Sequence, residues 1–118
     1  MKDLAPNIVR QRLLIEGIYS VDVGRTEVES YLLGVASHLS LRTYGSPVIF
    51  APVGAGKDEN EGFDAFMPLI DSGISLYVWT AARFFSAVLF TCKNFDTKSA
   101  LSYTREFFEA TEIEHKEF

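Results

Sequence analysis

Apolar positions along the chain fall into short alternating runs broken twice by helical spacing. Arg12 to Ser20 (RLLIEGIYS) alternates: Leu13, Ile15 and Tyr19 share one face and Leu14 and Ile18 the other. Such period-two alternation predicts a strand, with Gly17 marking a bulge or a close backbone approach. After a turn over Asp22 to Arg25, Thr26-Glu27-Val28-Glu29 has the form of a capping box. Val28, Tyr31, Leu32, Val35, Ala36 and Leu39 then recur at helical spacing. This predicts an amphipathic helix ending near Leu41, with Gly45 at the chain reversal. Ser46 to Val53 reads as a short or edge strand, because Pro47 and Pro52 bracket it. Phe63 to Ile70 is a further apolar segment interrupted by Pro68. Ile74 to Trp79 and Phe84 to Cys92 supply two more strands. Asp96 is placed to cap a second helix with a stripe of Ala100, Leu101, Thr104, Phe107, Phe108 and Thr111, and Thr111 to Phe118 closes the chain as an exposed strand.

The order β-α-β-β-β-β-α-β predicts an α+β fold, a two-layer sandwich. Its sheet is mostly antiparallel and carries both helices on one face. At 118 residues the chain is one domain. A hydrophobic fraction of 47% with 23% charged residues is that of a globular chain with a real core. A net charge of −5 argues against nucleic acid as a partner, which calls for clustered Lys and Arg. The longest apolar runs are shorter than a membrane helix needs, and the single cysteine excludes an internal disulfide and a site of several thiolates. These features lead to the expectation of a cytoplasmic protein with no membrane partner.

Chemistry concentrates in few places. Gly54 to Lys57 (GAGK) resembles part of a phosphate loop, but Ala51 and Asp58 stand where a glycine and a hydroxyl belong, so a plain polar loop over Gly54 to Gly62 is the better reading. His38 and His115 lack partners at ligand spacing and are expected on the surface. The paired Phe84-Phe85 and Phe107-Phe108 suit the core. Asp71 to Cys92 (DSGISLYVWTAARFFSAVLFTC) is the most apolar stretch and holds the only Trp and the only Cys. Asp71-Ser72-Gly73 has turn composition, and Cys92 alone reads as a small buried hydrophobe.

The same stretch resembles the prokaryotic S-adenosylmethionine decarboxylases, pyruvoyl enzymes of polyamine synthesis. That family carries E-S-H-L-[ST]-I-H-T-W-P-E followed by apolar residues ending in F-T-C. Trp79 and Phe90-Thr91-Cys92 fall at the family's separation, and the likeness extends over about residues 12 to 110. The resemblance implies that Ser72 is the self-cleaving serine and Asp71 the residue before the cut. It also implies that Ser72 becomes a pyruvoyl group, the cofactor, whose carbonyl takes up the substrate amine and accepts electrons as CO₂ leaves. Cys92 is then the acid that protonates the product, a role a largely protonated thiol can fill at neutral pH. The departures are specific. The family's cleavage-site Glu is Asp71, the His after the serine is Gly73, and Pro-Glu after the Trp is Thr80-Ala81. The processing His is Tyr77 and a further processing Ser is Asp64. A phenol holds its proton at neutral pH where an imidazole is largely free base, so Tyr77 is a poor substitute. Regular alternation also sets Tyr77 on the face opposite Ser72.

Three readings follow. One is a working decarboxylase of S-adenosylmethionine, or of a related amino acid such as arginine or ornithine. The second is an unprocessed relative with reduced or lost activity that keeps a ligand pocket or pairs with an active paralogue. The third is an α+β interaction module. The resemblance further implies a homodimer.

Overall fold

A computed structural model of the chain describes residues 1–51 and 61–118. The stretch around Lys57 lies outside the described residues. Among the described residues the elements run β1 (Gln11–Ile18), α1 (Arg25–His38), β2 (Val48–Phe50), β3 (Gly62–Leu69), β4 (Ser72–Trp79), β5 (Phe84–Thr91), α2 (Thr97–Phe108) and β6 (Glu112–Glu117). The strands form a six-stranded sheet in the order β2-β3-β4-β5-β1-β6, every neighbouring pair antiparallel. The α+β sandwich expected from the sequence is the fold observed.

Alternation decides which side of the sheet is covered. Leu13, Ile15, Met67, Leu69, Ile74, Leu76, Phe85, Ala87 and Leu89 point towards the helices and are buried. They meet Val28, Tyr31, Leu32, Val35 and Ala36 of α1 and Ala100, Thr104 and Phe108 of α2. An aromatic cluster fills the centre, with Phe85 stacked on Phe108 at 4.2 Å and Tyr31 against Phe108 at 4.9 Å between ring centroids. Tyr31 hydroxyl and Thr104 Oγ1 share a buried hydrogen bond of 2.8 Å, so the Tyr31 phenol is satisfied, and burial raises its pKa. Gly17 is a close approach rather than a bulge: a Cβ there would stand 2.8 Å from both the Glu112 carbonyl oxygen and the Phe85 ring, and the β1–β5 register runs unbroken past it. Among the described residues no helix covers the opposite face. Val48, Phe50, Phe66, Tyr77 and Phe90 are exposed there.

Several boundaries differ from the sequence expectation. The N-terminus of α1 is closed by Glu27, whose Oε1 accepts from Gly24 N–H at 2.7 Å; this is half of a capping box, since glycine has no side-chain oxygen to return the bond, and α1 starts two residues before the Thr26 and Glu29 pattern implies. α1 stops at His38 through Ser40, at φ 57. Leu41 N–H donates to the Ala36 carbonyl at 2.8 Å and Ser40 N–H to Ser37, the two bonds of a Schellman stop. That stop sends the chain directly towards the β3–β4 turn, with Leu41 buried as its anchor. α2 ends at Phe108 with Glu109 at φ 44, so Thr111 falls beyond the helix and is exposed. Pro68 does not interrupt β3. Its carbonyl faces away from β4 and accepts from Tyr44 N–H, so the missing N–H falls on the side where β2 has ended.

Candidate active site

The polar threshold expected over Asp71 to Gly73 is a two-residue turn, Ile70-Asp71, with Leu69 and Ser72 facing each other as the last pair of the β3–β4 ladder. Ser72 is therefore already in the sheet, opposite Thr91 of β5. Its φ is +122°, a region that L-residues with a Cβ rarely enter and that costs about 1–3 kcal/mol. A glycine would carry that turn without strain, and the sequence has one, Gly73, a position later. Gly73 has its own constraint: a Cβ there would lie 2.5 Å from the far end of the Phe66 ring, so the side chain that the resemblance expects after the serine fits only if that exposed ring swings aside.

The peptide between Asp71 and Ser72 is held from two directions. The Asp71 carbonyl oxygen accepts from Cys92 N–H at 2.8 Å. The Asp71 side chain, 4% exposed, is gripped by Arg42: the Arg42 backbone N–H donates to Oδ2 at 3.0 Å and Nη2 to Oδ1 at 2.9 Å. Ile70 N–H in turn donates to the Arg42 carbonyl at 2.9 Å, and Thr43 bridges Leu69. The segment after α1 thus acts as a short extra strand along the turn. Arg42 has no motif around it in the sequence, and 29 positions separate it from Asp71. Only the Schellman stop that aims the chain could have pointed to it.

Arg42 holds the Asp71 carboxyl below the usual carboxylate range, first through the guanidinium bond and then through the backbone N–H, with burial opposing both. A carboxyl with a depressed native pKa contributes stability that is complete above its unfolded value, about pH 4, and is lost as pH falls through the native value. Asp71→Asn is therefore expected to lower the urea midpoint at pH 7, and its deficit to shrink towards pH 3. Parallel midpoint curves for the two proteins over that range would contradict the pairing.

Cys92, the first residue past β5, is exposed rather than buried. The reason is parity: Leu89 and Thr91 face the helices, so the side chain that follows does not. Backbone pairing thus brings Asp71, Ser72 and Cys92 to one corner. Tyr77 and Asp64 lie elsewhere. They are direct cross-strand partners on the open face, where with Val48, Phe50, Phe66 and Ser75 they line a hollow of about 250 Å³. Five residues of strand separate Tyr77 from Ser72, about 16 Å. Trp79 clasps the far end of the β4–β5 hairpin against Phe84, ring centroids 5.3 Å apart. His38 and His115 are exposed, as expected. Among the described residues no group of three or more His, Cys, Asp or Glu could hold a metal ion, and no helix is long and apolar enough to cross a membrane.

An antiparallel sheet covered on one side by two helices, with a strained serine and a thiol at adjoining strand ends, defines a class of α+β protein. The sequence profile described as S-adenosylmethionine decarboxylase matches residues 25–118, and the chain belongs to that family. Comparison with curated proteins returns no match. Among solved structures, the adenosylmethionine decarboxylase from Aquifex aeolicus VF5 superposes with a TM-score of 0.72 at 19% identity. The superposition covers 94% of this chain and 89% of that one, a likeness of fold.

Proposed function

We propose that this chain is a divergent S-adenosylmethionine decarboxylase relative of polyamine metabolism. Its resting form is the uncut chain, and its decarboxylase activity is reduced or lost. The observation that carries this reading is the pair Tyr77 and Asp64, a phenol facing a carboxylate across β3 and β4 where the family has an imidazole and a hydroxyl.

Ser72 remains the candidate pyruvoyl precursor, and the residues around it fit that group. The hydroxyl of Ser72 attacks the Asp71 carbonyl carbon, the C–N bond breaks, the nitrogen leaves as an amine, and an ester links the two residues. Cys92 N–H, already on that carbonyl oxygen, stabilises the negative charge that develops there. Loss of the Ser72 α-proton then expels the Asp71 α-carboxylate, and water releases ammonia to leave the pyruvoyl end. When formed, that group supplies an electron-accepting carbonyl. Cys92 is the proton donor at the same corner. The strain at Ser72 favours a second reading, an active pyruvoyl enzyme acting on S-adenosylmethionine or on a related amino acid such as arginine or ornithine.

The open face, with Phe50, Phe66 and Phe90 exposed, suits a second copy of the chain, or an active paralogue of the same shape. Prolonged incubation with S-adenosylmethionine, followed by intact-mass analysis, is expected to return the single 13.2 kDa chain. The same sample is expected to show twice that mass by size exclusion with light scattering. Two fragments, the second lighter by one ammonia than a chain beginning with serine, would overturn the uncut reading in favour of the active one. A monomer would contradict the dimer.

A further inference from the structure

We infer that Arg42 is a positioning residue for chemistry at the Asp71–Ser72 junction. The inference rests on the reading above that Ser72 is the junction serine, and it adds a residue that no motif marks.

The argument is geometric. Attack by a neighbouring hydroxyl on the peptide before it needs the carbonyl plane turned towards that hydroxyl and kept there. Two groups can set the plane, the carbonyl oxygen and the side chain of the residue that owns it. The oxygen is fixed by Cys92 N–H at 2.8 Å. The side chain is fixed by three donors on one residue, the Arg42 backbone N–H at 3.0 Å, Nη2 at 2.9 Å and Nε at 3.5 Å. Arg42 also accepts Ile70 N–H through its own carbonyl, so both turn residues hang on it. Asp71 is thus clamped on either side of its α-carbon, and the positive φ of Ser72 is what remains to complete the turn.

A purely structural ion pair predicts something different. The Arg42 side chain is 65% exposed but that of Asp71 only 4%, so removing the guanidinium costs stability whichever role it has. A structural role gives Arg42→Ala that loss and leaves the junction of the folded chain unaffected. A positioning role adds a large loss of rate at the junction, because small misplacements of reacting groups cost roughly a hundredfold in rate.

Neutral hydroxylamine separates the two. It cleaves an ester at Ser72 under native conditions, leaving residues 1–71 as a hydroxamate and 72–118 beginning with serine, both resolved by mass. The measurement uses the full chain, unaltered and carrying Tyr77→His with Asp64→Ser, each with and without Arg42→Ala or Arg42→Lys. The expected result is a hydroxylamine-dependent cut that falls roughly a hundredfold in Arg42→Ala and partly returns in Arg42→Lys. Millimolar guanidinium is expected to restore part of it in Arg42→Ala alone, and the fall in rate is expected at a temperature where every variant is still folded, so that the lowered thermal midpoint does not account for it. An equal rate with and without Arg42 overturns the inference and leaves Ser72 as the junction. Absence of any cut at that bond in both backgrounds overturns the inference together with the junction assignment.

Discussion

Restoring an imidazole and a hydroxyl through Tyr77→His with Asp64→Ser is expected to raise the rate of the cut between Asp71 and Ser72 by about 10²-fold or more, the usual worth of a positioned general base. Both positions are exposed on the open face and directly opposite each other, so the new pair fits without repacking the core. The junction it would serve has kept its strained serine and its bound carbonyl. Within one protomer the pair stands about 16 Å along β4 from Ser72. The gain is therefore expected only where a second copy brings its own pair to the corner. Intact mass against time, at concentrations above and below dimer dissociation, tests both points. Adding Ser72→Ala should remove the cut entirely. An uncut double variant after prolonged incubation would mean that the turn has lost its competence, and a cut independent of concentration would mean that the pair acts within its own chain.

Phe108→Ala should give the largest loss of stability, about 3–5 kcal/mol, because it empties the centre of the molecule. Phe108 is fully buried, and its ring meets Phe85, Tyr31, Phe107 and Tyr19 at centroid distances of 4.2, 4.9, 5.1 and 6.2 Å. Four aromatic partners cannot all relax inwards at once, so the cavity stays. Domains of this size hold about 5–15 kcal/mol in total, so the variant would sit near the edge of folding. The urea midpoint at fixed slope is the measurement. A loss below about 1 kcal/mol would mean that the aromatic cluster is loosely packed.

Much of this was open to reading because alternation and helical spacing are local. Val28 to Leu39 matched one face of α1, and the parity of Leu13, Ile15 and Tyr19 gave the covered side of β1. The same parity carried along β5 would have set Cys92 outside the core, which treating it as an isolated thiol did not. The start of α1 differs by two residues because the Thr26 and Glu29 pattern fits a capping box, whereas the N-cap is Gly24, whose only cap is the Glu27 carboxylate on its backbone N–H, and a glycine carries no such pattern. Pro68 reads as a break because a proline cannot donate to a ladder, and only the register shows its nitrogen on the side where β2 has ended. The φ of Ser72 was not legible at all. A turn rich in Asp, Ser and Gly invites the glycine to take the unusual backbone angle, and register with Leu69 gives it to the serine instead. Arg42 was hidden for the same reason, since contacts across 29 residues depend on how α1 ends.

The strand order has a consequence for the chain after any cut at residue 71. The first piece would own β1, β2 and β3, the second β4, β5 and β6, and in the sheet these alternate, with β1 held between β5 and β6. The halves are woven together. Parting them means unzipping β3 from β4 and drawing β1 out from between two neighbours, which is close to unfolding the protein. A severed chain would therefore travel through native gels as one body and reveal itself only in denaturant. By the same logic, the two halves produced as separate polypeptides should recognise each other and reassemble.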